Sequence, residues 1–213
     1  ILSALGTVLC FPPSVLQRHS LIAQWKPLQI VQSRTSVYGT IAVTQSAHQQ
    51  VIFYNGLPAI TTPYPDTVYT QEFGHIPLLF HPYPQDILII SGAAGGLLTE
   101  ILKHPVRRVD YAELDPMIFT VLDRYPTDLT SKELKDGRVK VISTDGRYFV
   151  RSTKDYYDLV LLGLSKPTDL STNRFFTREF FSLVARRLTR GGVFSFCLPG
   201  SLTYISKEVR DLN

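Results

Sequence analysis

The sequence predicts an α/β protein: a doubly wound, mostly parallel sheet preceded by a small antiparallel β meander. Three observations predict it. Asp86-Ile-Leu-Ile-Ile-Ser-Gly-Ala-Ala-Gly-Gly-Leu-Leu-Thr-Glu100, followed by Tyr111-Ala-Glu113-Leu-Asp115, reads as buried strand, glycine turn, helix and second strand ending in carboxylates. Near-continuous apolar runs, Asp158-Leu-Val-Leu-Leu162 and Gly192-Val-Phe-Ser-Phe-Cys-Leu198, are what parallel strands covered on both faces require. Upstream, residues 33 to 60 alternate as short strands around polar turns, one of them Asn55-Gly56.

Residues 1–32 form an apolar lead-in and linker. Ile1 to Phe11 is mostly apolar but shorter than the ~20 residues a bilayer crossing needs. It reads as the tail of a preceding membrane segment or as an arm docked on the core, and the chain as part of a longer protein. Residues 33–84 hold the meander, with strands Tyr38–Thr44, Gln50–Tyr54 and Leu57–Ile60, then a helix from Asp66 to Leu79 that stops at His81-Pro-Tyr-Pro84. Residues 85–213 hold the nucleoside-binding type of domain, cut short at its C-terminus. Its expected order is strand 87–91, helix 95–104, strand 108–113, helix 115–124, strand 138–143, strand 157–162, helix 177–190 and strand 192–198. Thr177 caps the last helix, and Gly191-Gly192 closes it and opens the final strand.

Charge and composition exclude several classes. The net charge of +4 comes from short basic groups such as Arg107-Arg108, without interleaved aromatics, which argues against a nucleic-acid partner. Cys10 and Cys197 lie far apart and form neither a disulfide framework nor a metal spacing, so a reducing compartment is expected. Five scattered histidines form no ligand motif and read as surface or singly bonded core residues; no metal site is expected.

Ligands of such sheets bind beyond the carboxyl ends of the strands. That places Gly92, Ala94, Gly95 and Gly96, then Glu113 and Asp115, then Asp145 and Gly146, and then Gly163 to Pro167 around one pocket. The glycines would let backbone approach the ligand closely, Glu113 would take the ribose hydroxyls, and Asp145 the amino group of an adenine. Glu113 and Asp145 could instead cap helices or loops. The turn does not match Gly-x-Gly-x-x-Gly, so a nicotinamide dinucleotide is disfavoured.

The ordered set Tyr38-Gly39, Tyr69 before Glu72, His75-Ile-Pro-Leu78, His81-Pro82, Ile87 to Gly96, Leu102-Lys-His-Pro105, Glu113-Leu-Asp115, Asp145-Gly146, Tyr157-Asp158 and Gly191-Gly192 resembles the spermidine synthase (polyamine aminopropyltransferase) family. The resemblance spans about residues 33 to 200. It implies a methyltransferase-like fold behind a β meander, a homodimer, decarboxylated S-adenosylmethionine as cosubstrate and a polyamine as second substrate. The apolar lead-in and Asn173-Arg-Phe-Phe-Thr-Arg-Glu-Phe-Phe181 resemble a bacterial subgroup in which such a domain follows membrane helices. A cytoplasmic location follows, free or as the cytoplasmic domain of a membrane protein.

Against the family pattern, Ala94 stands where the glycine motif carries an aspartate, and Gly163 and Lys166 replace both aspartates of the Asp-Ser-Ser-Asp-Pro motif. Thr70-Gln71 leaves the family's helix glutamate unmatched, while Tyr69 is retained. Tyr69 and Asp169 are the remaining candidates for acid-base work. The expected ligand is a sulfonium nucleoside or its product: decarboxylated S-adenosylmethionine, S-adenosylmethionine or methylthioadenosine. Three functions stay open: an aminopropyltransferase-like enzyme, a non-catalytic nucleoside-binding or dimerisation domain, and an S-adenosylmethionine-dependent methyltransferase.

Overall fold

The structure is a computed structural model that describes residues 28–164 and 170–198. The chain divides into two compact units, one running to Ala59 and the other starting at Ile60. The first carries an antiparallel sheet in the order β1 (Ile30–Thr35), β2 (Thr40–Ser46), β3 (Gln49–Tyr54) and β4 (Leu57–Thr62), the last strand running on into the second unit. β1 was not expected, because Ile30-Val-Gln-Ser-Arg-Thr35 has too few apolar positions to show a period. Asn55 and Gly56 both adopt positive φ, 50° and 82°, the twist that suits a two-residue hairpin. Asn55 also accepts a hydrogen bond from the Thr40 amide at 2.9 Å.

The second unit opens with α1 (Thr67–Leu79), whose N-cap Asp66 accepts from the Tyr69 amide at 3.1 Å. A five-stranded sheet follows: β5 (Asp86–Ile90), β6 (Arg108–Glu113), β7 (Val139–Ser143), β8 (Tyr157–Leu162) and β9 (Leu188–Phe196). Its order is β7-β6-β5-β8-β9 and every recorded pairing is parallel. The expected doubly wound sheet is therefore present. Ile87 to Ile90 and Leu159 to Leu162 are fully buried at the centre, which is why their sequences are apolar without alternation. The strand order reverses between β5 and β8, the place where sheets of this kind ordinarily bind ligand beyond the carboxyl ends of their strands.

The helices are α2 (Leu97–Leu102), α3 (Met117–Arg124), α4 (Asp128–Lys135), α5 (Gly146–Ser152), α6 (Leu170–Asn173) and α7 (Arg178–Ala185). Three of them, α4, α5 and α6, were not expected. α4 is polar except for Leu129 and Leu134 and is nucleated by a capping box, Thr127 and Thr130 exchanging side-chain and backbone hydrogen bonds. α5 begins on a glycine and is held by Asp145 at its N-cap. The final strand also starts earlier than expected. α7 ends at Ala185, β9 begins at Leu188, and Gly191, at φ 82°, sits inside the strand where its register against β8 shifts. The glycine pair thus marks an irregularity within the strand and not the end of the helix.

Candidate functional site

β5 ends in a turn whose backbone departs sharply from ordinary conformations. Ser91, Gly92, Gly95 and Gly96 have φ of 58°, 68°, 92° and 117°. Glycine meets that demand without strain, whereas Ser91 holds a left-handed conformation uncommon for a residue with a Cβ. The glycines are also required by the protein's own packing: a Cβ at Gly95 would lie 2.6 Å from the Ile60 side chain, and one at Gly96 2.9 Å from Pro65. The close approach expected toward a ligand is at these two positions an approach to the segment entering α1.

Glu113 ends β6 beside this turn and is 6% exposed. Its carboxylate accepts from the Tyr111 hydroxyl at 2.9 Å, the Leu114 amide at 2.9 Å, the Gly92 amide at 3.3 Å and the Ser91 hydroxyl at 3.3 Å. Burial pushes its pKa up, against these four donors, which pull it down. The contacts from Ser91 and Gly92 are the longest of the four. Tyr111 is buried; burial and the Glu113 charge push its pKa far up, so it stays a donor to Glu113.

Asp115 is 1% exposed and accepts from the Met117 amide at 3.0 Å, ordering the entry to α3. Asp145 follows β7 and caps α5, accepting from the Tyr148 amide at 2.8 Å, and its other oxygen pairs with Arg174 at 2.5 Å. A base arriving at Asp145 would share that oxygen with the Arg174 guanidinium. Gly146, buried, opens α5 against Ile90. Ala94 is buried in the turn.

Tyr69 lies on α1, stacked on Phe73 with ring centroids 5.6 Å apart. Burial, with the neighbouring Cys197 and Asp66, pushes its pKa up to about 12, so it is a proton donor near neutral pH and not a ready base. Cys197, just past β9, is half-buried, and burial followed by the nearby Glu72 pushes its thiol up. Lys166 and Asp169 lie outside the described residues.

Comparison with known proteins decides the family. The description "Spermine/spermidine synthase domain" matches residues 66–211, more than half of the chain. The chain belongs to the spermine/spermidine synthase family. It is 36% identical over 132 residues to a polyamine aminopropyltransferase of Korarchaeum cryptofilum, covering 62% of this chain and 41% of that protein. To the polyamine aminopropyltransferase of Bacillus subtilis it is 27% identical over 169 residues, covering 76% and 60%. Among solved structures it is similar to a spermidine synthase in complex with the transition-state analogue AdoDATO, with a TM-score of 0.70, 28% identity and coverage of 79% of this chain and 57% of that one. Spermidine synthase from Thermotoga maritima gives a TM-score of 0.68 at 28% identity, covering 79% and 56%. The chain spans about half the length of these relatives.

Within this spermidine-synthase-type fold, Gly163 ends β8 directly across from the glycine turn. A Cβ at Gly92 would lie 2.7 Å from the Gly163 carbonyl oxygen, and the two loops meet backbone to backbone. Two features escaped the sequence. Glu133, on α4, is 1% exposed and binds the glycine turn; the Thr127 cap ahead of it was the available signal. The second is a histidine pair: His75 Nδ1 and His104 Nε2 are 2.7 Å apart, and His75 Nε2 lies 2.9 Å from Glu100, which also accepts from Lys103 at 2.6 Å. These histidines were expected to be separate. The fold joins them because α1 packs on α2. Among the described residues, no group of three His, Cys, Asp or Glu is placed to hold a metal.

Proposed function

We propose that this chain binds a sulfonium nucleoside of the S-adenosylmethionine type, or the methylthioadenosine left after transfer, at the carboxyl ends of β5, β6 and β7. The observation that carries the reading is the turn of Ser91 to Gly96 closed by Glu113, in a member of a family whose relatives are named polyamine aminopropyltransferase. In this reading Glu113 receives the ribose hydroxyls alongside Ser91 and Gly92, Gly92 to Gly96 form the floor, and Asp145 reads the base beside Arg174.

The family reaction would be aminopropyl transfer. A neutral amine nitrogen attacks the carbon next to the sulfonium, the carbon–sulfur bond breaks, methylthioadenosine leaves, and the new ammonium gives its proton to a base. The step needs an acceptor for that proton and carboxylates to hold the polyamine cation. Tyr69, protonated below about pH 12, supplies a hydrogen-bond donor. The resemblance expects an aspartate at position 163, where this chain has glycine, and Lys166 at the second acidic position. Loss of a positioned base typically lowers rate by roughly 10²- to 10⁴-fold. Aminopropyl transfer by this chain is therefore proposed to be weak, with Asp169, three residues beyond Lys166, the candidate substitute acid.

One observation favours a second reading, a non-catalytic nucleoside-binding or dimerisation domain: the backbone at Gly163 leaves no space for a side chain. A homodimer, and a cytoplasmic location either free or tethered through a preceding membrane segment, belong to the same proposal. Among the described residues no helix is long and apolar enough to cross a membrane.

Titration calorimetry with methylthioadenosine and decarboxylated S-adenosylmethionine tests binding, and release of methylthioadenosine with a panel of amines tests transfer. Binding without release supports the second reading. Absence of binding removes both.

A further inference from the structure

We infer that Glu133 is a positioning residue that shapes the nucleoside floor and sets its selectivity against phosphorylated nucleotides. The inference rests on the nucleoside reading above. A glycine turn running into a helix ordinarily presents unpaired amides to an anion, the arrangement by which nucleotide-binding folds hold phosphate. In this chain those amides are already taken. Glu133 Oε2 accepts from the Gly95 amide at 2.9 Å, and Oε1 accepts from the Gly96 amide at 2.7 Å and from the Thr99 amide and hydroxyl, both at 2.9 Å. The Ser91 amide donates to the Ala112 carbonyl and Gly92 to Glu113. The amides that lead into α2, those of Gly95, Gly96 and Thr99, thus have an acceptor within the protein.

All four groups that meet Glu133 are donors, an arrangement that favours the ionised, acceptor-only carboxylate. Burial opposes that charge and raises the pKa of Glu133 overall, while the four hydrogen bonds pull it down. The result is an acidic group supplied by α4, 37 residues along the chain from Gly96, bound to amides that a phosphate would otherwise draw on. A 5′-phosphate arriving at the turn would find the Gly95, Gly96 and Thr99 amides taken and a like charge behind them. A 5′-thioether or sulfonium carries no such penalty. Glu133 acts through the backbone of Gly95 and Gly96, not on the reacting atoms.

The test is titration calorimetry of the protein and its Glu133→Gln form with methylthioadenosine and with adenosine 5′-monophosphate, with thermal midpoints read in parallel. The parent is expected to prefer methylthioadenosine by about 100-fold or more, and the Gln form to narrow that ratio by about tenfold as the charge is lost. An unchanged ratio in a folded Gln form, including equal loss for both ligands, overturns the inference and leaves the nucleoside reading standing. A parent protein that binds no methylthioadenosine overturns both. If the Gln form does not fold, Thr99→Val removes one donor from the carboxylate and keeps its charge. It is expected to lower methylthioadenosine affinity by roughly threefold with the preference over the monophosphate retained; unchanged affinity overturns the inference.

Discussion

A Cβ built on Gly163 lies 2.1 Å from the carbonyl oxygen of Ser91, a separation that real Cβ atoms do not show. Ser91 itself is held at φ 58°, its amide bonded to Ala112 and its hydroxyl to Glu113. Gly163 is therefore coupled to the shape of the turn across from it, and a side chain cannot enter there by one substitution without moving backbone.

Gly163→Asp is expected to lower unfolding stability by about 3 kcal/mol or more, since the side chain must displace backbone and bury a charge. It should not raise aminopropyl transfer. Urea unfolding and methylthioadenosine release measure the two effects, and a stable variant with increased turnover would show that the loops yield.

Replacing Glu113 by alanine removes the acceptor shared by Tyr111, Leu114, Gly92 and Ser91. Nucleoside affinity should fall by at least ~1 kcal/mol through loss of charge-assisted contacts. Calorimetry on folded variant protein gives the number; unchanged affinity would place the ribose elsewhere.

Tyr69→Phe should leave methylthioadenosine affinity within about threefold while lowering any transfer rate by roughly 10²-fold. Because the hydroxyl titrates near pH 12, no inflection in the pH–rate profile below about pH 11 should disappear in the variant. Rates across pH 6 to 10 check this.

Stability should fall on mild acidification, and His104 is one cause. Burial and then the neighbouring His75 hold its pKa below the ordinary value, so in the window below about pH 6.5 the unfolded chain binds more protons than the folded one. The contribution is complete above that pH and is lost as pH drops through the folded pKa. Glu100 adds loss of the same sign at lower pH: burial pushes it up, but hydrogen bonds from Lys103 and His75 outweigh this and hold it low. Thermal midpoints at pH 7.5 and 5.5 should differ less in His104→Gln than in the parent protein.

Much of this architecture was legible because its signals are local. The apolar runs of β5 and β8, the Asn55-Gly56 hairpin and the Asp66 and Thr177 caps each act within a few residues. α4 and α5 were not legible, since Asp128-Leu-Thr-Ser-Lys-Glu-Leu-Lys135 has little apolar period and Gly146 disfavours a helix start by propensity alone. β9 begins before its glycines because pairing of Leu188 with Tyr157 outweighs the break they signal.

By itself, the sequence determined the fold class, the placement of glycines and carboxylates at strand ends, and membership of an aminopropyltransferase-type family, because periodicity and turn chemistry are written in neighbouring residues. Only the tertiary structure decided which group each carboxylate meets. Glu133 reaches Gly95 and Gly96, Asp145 meets Arg174, His75 meets His104, and Gly163 closes on Ser91. Those partners are tens of residues apart, and their hydrogen bonds exist only once helices and sheet have packed and excluded the water that would otherwise satisfy them.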